Sequence, residues 1–127
     1  MKLSTYVAIV AILGFLYGIG ILIFPVQFMQ NYGITLDPAS TAIARLFGSA
    51  MFASGIILWV NRNAPESERS WAGLLWSQVF FNAGNCIIIL MARMNGIGNS
   101  MNWSSIILTA ILTLCSLYFL FRKRAVA

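Results

Sequence analysis

Residues Leu3 to Phe24 read LSTYVAIVAILGFLYGIGILIF, twenty-two positions without a charge. A helix needs about 20 apolar residues to cross the hydrocarbon of a bilayer, so this run is long enough to span it. Lys2 before it resembles the start of a secretory leader. However, the apolar stretch exceeds the usual 7–15 residues, and no Ala-x-Ala-type site follows, so the segment reads as a retained anchor ending at Pro25. Outward from this run the pattern repeats. Of 127 residues, 60% are apolar and 9% charged, against about 45–50% and about 25% in soluble domains. Four spans require about 80 apolar positions, and the chain has room for those and little more. The expected fold is all-α: a single polytopic domain over residues 1–127, with four transmembrane helices in a compact antiparallel bundle.

The remaining spans follow from start and stop signals. Asp37 can cap the second helix with Pro38 at its first position, and this helix runs to about Val60. Pro65 can open the third, which covers about 71–92 and is closed by Arg93 and the Asn95–Gly96–Ile97–Gly98–Asn99 turn. The fourth covers about 102–121 and stops at Arg122–Lys123–Arg124. Between the first two, Pro25 to Leu36 carries Val26, Phe28, Met29, Tyr32, Ile34 and Leu36 without a charge. This predicts a short interfacial helix ending at Gly33, either a packing element on the membrane surface or a lid over the bundle.

Charge bias sets the expected topology. Lys2, Arg62, Arg69, Arg122, Lys123 and Arg124 fall on one side of four spans, and Arg93 with Arg45 on the other. The positive-inside rule places both termini and the middle loop in the cytoplasm of an inner-membrane protein. Trp59 and Trp71 then mark the inner interface and Trp103 the outer. The basic residues are too scattered for a nucleic-acid patch.

Hydrophobicity does not drive helices together in lipid, whereas close backbone approach and interhelical hydrogen bonds do. Gly14-x-x-x-Gly18 on helix 1, Ala44-x-x-x-Gly48 and Ser49-x-x-x-Ala53 on helix 2, and the Ser105, Thr109, Thr113, Ser116 stripe on helix 4 are the candidate packing faces. Helix 3 carries Gln78, Asn82 and Asn85 at i, i+4, i+7, one polar face that is either interhelical glue or a polar pocket. Arg45 is the one charge well inside a span, about 10 Å from its outer end. It is either a functional group or a snorkelling side chain. Counting inward from each outer end puts Tyr17, Arg45, Asn85 and Thr109 at one depth, an expected polar layer for a small anion or for the head of a lipid or quinone.

Several chemistries are excluded. There is no His, and the acids Asp37, Glu66 and Glu68 lie outside the spans, so proton-coupled antiport through an embedded carboxylate has no carrier. Cys86 and Cys115 lack a Cys-x-x-Cys partner and differ by about 9 Å in depth. No cofactor or metal set is present in the sequence.

The run Phe24–Pro25, Tyr32–Gly33–Ile34, Asp37–Pro38, Ala44–Arg45–Leu46–Phe47–Gly48 and Trp59, followed by Ala64–Pro65, resembles a widespread group of small bacterial membrane proteins similar to the DoxX-like family. The likeness covers most of the first seventy residues. It implies a four-helix integral membrane protein of unsettled function and supplies no catalytic residues. The expected role is an accessory or scaffold subunit in the bilayer, self-associating or bound to a larger complex. The alternative is a carrier, channel or binding protein for a small anion, lipid or quinone around Arg45. A membrane enzyme acting on a lipid or quinone is third, and would need an activating group beyond amides and one Arg.

Overall fold

A computed structural model describes residues 1–65 and 69–126, the side chains of Arg69 and 123–126 excepted. Five helices follow one another: α1 (Leu3–Ile23), α2 (Pro25–Gln30), α3 (Pro38–Asn61), α4 (Arg69–Met94) and α5 (Met101–Val126), with no strand among the described residues. Four contain segments long and apolar enough to cross a membrane: Leu3–Ile23, Pro38–Asn61, Ser70–Met94 and Met101–Arg122. Glu66 and Glu68, on the segment that joins Pro65 to α4, and the side chains of Arg69, Lys123 and Arg124 lie outside the described residues.

The fourth span was expected to stop at Phe121, yet α5 continues to Val126. Arg, Lys and Ala are all good helix formers. A charge run therefore ends the apolar segment without ending the helix.

The chain divides into two units, Met1–Ala64 and Pro65–Ala127. In the first, α1 packs on α3. Close approaches run from Gly14 beside Met51 and Gly55 to Gly18 beside Phe52 and Gly48, and then to Leu22 beside Gly48. Numbers rise on one helix as they fall on the other, so the pair is antiparallel.

Pro25 explains why α1 does not run on into α2. It has no N–H to donate to the Ile21 carbonyl, and its ring disfavours the helical conformation in the residue before it. Phe24 accordingly sits at φ −121°, ψ 53°, and the helix resumes at Pro25. The short helix then ends at Gln30, three residues before the expected Gly33. Gly33 adopts φ +70°, its N–H donating to the Gln30 carbonyl at 2.9 Å and that of Ile34 to Met29 at 3.1 Å. This is a Schellman closure, which glycine enters without steric cost.

Asp37 then opens α3 with a reciprocal cap. Its Oδ1 accepts the Ser40 N–H at 2.7 Å, while the Ser40 Oγ accepts the Asp37 N–H at 3.0 Å. The Ser40 hydroxyl and amide hold the Asp37 carboxyl below the usual carboxylate range.

In the second unit α4 packs on α5 across a six-residue turn, Asn95–Ser100, so these helices are also antiparallel. The turn repeats the closure of the first unit. Gly96 has φ +76°, its N–H donates to Arg93, and that of Ile97 donates to Ala92 at 2.9 Å. The Asn99 side chain then caps α5 by accepting the Met101 N–H at 2.9 Å.

Candidate functional site

Small residues place the α1–α3 seam. A Cβ on Gly18 would lie 2.7 Å from the Phe52 nitrogen, and one on Gly48 2.7 Å from the Leu22 nitrogen, distances no side chain tolerates. Gly14 is looser, with its Cβ site 3.2 Å from the Met51 carbonyl oxygen. Ala44 is half-buried one turn before Gly48. Ser49 and Ala53 are exposed, and Ser49 donates to its own Leu46 carbonyl at 2.9 Å. Gly55 is the seam residue that the small-x-x-x-small pattern leaves out. It is buried, against Ala11 and Phe15. Its signal in the sequence is the seven-residue spacing from Gly48, two helical turns on the same face.

Phe15 covers one flank of this seam, packing on Phe52 at 5.2 Å and on Trp59 at 6.4 Å between ring centroids. Arg45 stands seven residues before Phe52, so it shares that flank. Its side chain is exposed and makes no hydrogen bond or ion pair among the described residues. Tyr17 leaves α1 about 200° around from Phe15, on the opposite flank. There its ring meets Phe28 edge-on at 5.6 Å and its hydroxyl pairs with Tyr32. Phe28 also fills the space a Cβ on Gly20 would need. Tyr17 thus anchors α2 rather than solvating Arg45. The expected polar layer is not formed by its two members in the first unit, because counting residues gives depth but not the direction a side chain takes around the helix.

In the second unit the polar residues are largely spent on their own helices. Asn82 is buried and donates to the Gln78 carbonyl at 2.8 Å and the Gln78 carboxamide oxygen at 3.4 Å. Gln78 itself is 6% exposed. Asn85 donates to Phe81 at 2.8 Å. Thr109 donates to the Ser105 carbonyl, and Thr113 to Thr109, each at 2.8 Å. Such bonds lower the cost of holding these groups in hydrocarbon and leave few donors for a ligand. Ser105 is half-buried and Ser116 fully buried. The Cys86 thiol reaches across to α5, donating to the Ile106 carbonyl at 3.7 Å. Both cysteines are free. Among the described residues no group of three His, Cys, Asp or Glu is placed to hold a metal ion.

Two features escaped the reading of the sequence. Gly73 and Gly84 on α4 have nothing within 4 Å of a would-be Cβ. Arg93 and Asn102, at the turn end of the α4–α5 hairpin, each hold a buried polar atom without a partner, Nε and Oδ1 respectively. No family model matches the chain, and neither a curated protein nor a solved structure matches it.

Proposed function

We propose that this chain is an inner-membrane accessory or scaffold subunit with both termini in the cytoplasm, which associates with a second transmembrane chain through α4. A single observation carries the reading. Gly14, Gly18, Gly48 and Gly55 of the α1–α3 seam lie against backbone, whereas Gly73 and Gly84 of α4 face open space. Ser77 between them is exposed, so the three form an uncovered small-residue stripe at i, i+4 and i+11. Glycine within a helix costs about 1 kcal/mol relative to Ala. In lipid that cost is offset where another helix comes close enough to gain dispersion contacts along the backbone. A second copy of this chain is the first occupant to test, and a helix of a larger complex the other. The basic residues of the middle loop and of the C-terminal run support the orientation.

Native mass spectrometry of the chain from mild detergent tests the association. Gly73→Leu with Gly84→Leu should abolish the higher-mass species and leave the thermal stability of the single chain near that of the parent. An unchanged mass distribution would show that the stripe faces only lipid.

A second reading rests on Arg45, an exposed cation within a span, without a partner among the described residues. It would make the protein a carrier or binding protein for a small anion, lipid or quinone. Anion flux into liposomes that disappears in Arg45→Leu would favour it over the scaffold.

A further inference from the structure

Arg93 occupies the last turn of α4 and Asn102 the second position of α5. The Cys86–Ile106 contact marks where the two helices face each other. Arg93 lies two turns beyond Cys86 on the same stripe, and Asn102 one turn before Ile106 on the opposing stripe. By helical rise they stand about 10 Å and about 6 Å from that contact, both toward the turn. Side chains on a helix lean toward its N-terminus. Arg93 therefore leans back from the turn and Asn102 leans into it, which brings the two groups to one level.

Their hydrogen bonding is incomplete in complementary ways. Asn102 is 3% exposed, and its Nδ2 donates to the Ile97 carbonyl at 3.2 Å, which identifies the oxygen at the other end. That Oδ1 is buried without a partner, as is the Arg93 Nε. The first-turn amides of α5 are already engaged: the Met101 N–H with the Asn99 side chain, that of Asn102 with the Asn99 carbonyl, and that of Trp103 with the Ser100 carbonyl. The helix N-terminus is therefore not what would hold an anion. Among the described residues of this unit there is no Asp or Glu to neutralise the guanidinium. An orphaned cationic donor and an orphaned neutral acceptor at one level of the hairpin call for a ligand that is anionic and also carries a hydrogen-bond donor. Trp103, adjacent to Asn102 and exposed, fits the membrane–water boundary. At that depth a bilayer presents phosphate groups.

We infer that the turn end of the α4–α5 hairpin binds a phosphate group that has a hydroxyl beside it. Phosphate oxygens accept from Arg93, and the hydroxyl donates to Asn102 Oδ1. An anionic lipid with a glycerol headgroup supplies both parts, and so does free hydrogenphosphate.

The full chain in mild detergent is mixed with equal amounts of phosphatidylglycerol and phosphatidylcholine, and retained lipid is counted by native mass spectrometry. A parallel sample receives inorganic phosphate instead. The unsubstituted chain should retain phosphatidylglycerol about tenfold over phosphatidylcholine, the scale of one charged hydrogen bond. Arg93→Gln should abolish the preference, Arg93→Lys should keep part of it, and Asn102→Ala should bring the two lipids together. Arg62→Gln, which removes the same charge at the other end of the spans, should change nothing. Phosphate binding with the same dependence on Arg93 and Asn102, without lipid preference, would support the site and assign it to the free ion. A lipid preference surviving in Arg93→Gln, or no binding of either probe, would overturn the site and leave a buried water as the bridge. Arg93→Gln keeps the test decisive if Asn102→Ala fails to fold.

Discussion

Gly18 shows how one missing side chain sets the distance between two helices. Its would-be Cβ meets the backbone of Phe52 and Gly48, which cannot swing aside, whereas that of Gly20 meets only the ring of Phe28, which can. The expected order of destabilisation on substitution by Ala is therefore Gly18 and Gly48 first, Gly14 well behind, and Gly73 not at all. Thermal unfolding in detergent reads this order, with Gly18→Ala costing about 1–3 kcal/mol through overpacking. Helix propensity by itself favours Ala at both positions, so equal costs at Gly18 and Gly73 would mean that Gly73 too lies against another helix. Asp37 gives a pH signature. Its folded carboxyl is held below the ordinary range by Ser40. Its contribution is thus complete above the unfolded value of about 4 and lost as pH falls through the folded one. A parent chain that loses stability as pH falls below about 4 should lose less in Asp37→Asn, whose carboxamide accepts the same N–H at every pH. An identical acid profile for the two would assign the loss to other groups.

At the scale of elements, the two connections are built alike. Gly33–Ile34 and Gly96–Ile97 each close a helix by the same pair of backbone bonds, and Asp37 and Asn99 each cap the helix that follows. The Gly33 end, the Asp37 cap and the 95–99 turn were legible in the sequence, because capping and left-handed glycines depend on residues within a few positions of one another, whereas the Asn99 cap was not. Gly33→Ala and Gly96→Ala should each cost about 1–2 kcal/mol for placing a Cβ at positive φ. Gly98→Ala should cost more. It is at φ +84°, and the Asn102 carboxamide already occupies the space its Cβ would take. Denaturation of the three variants in one detergent checks the ranking. A Gly98→Ala chain as stable as Gly96→Ala would show that the Asn102 side chain moves freely. The break at Phe24 was also legible, as a proline rule, but its consequence was not: α2 is held by Phe28 and Tyr32 against Tyr17, contacts that no local pattern announces.

For the whole molecule, the distribution of basic residues yields a prediction independent of packing. A reporter fused after Ala127 should be active only in the cytoplasm, as should one inserted in the loop around Ser67; activity outside would reverse the topology. The sequence by itself determined four apolar segments of spanning length, their starts and most of their ends. These properties are additive along the chain: the bilayer sets a length, and caps and turns act over a few residues. Only the tertiary structure decided which side of each helix is used. Gly14, Gly18 and Gly73 look alike in sequence, yet the first two lie against α3 and the third is open, because a helix face gains meaning only from the helix opposite it. For the same reason Tyr17 and Arg45, equal in depth by counting, stand on opposite flanks of one seam. The orphaned atoms of Arg93 and Asn102 likewise became visible only when an antiparallel hairpin brought residues nine apart in sequence to its turn end, where packing excludes the water that would otherwise satisfy them.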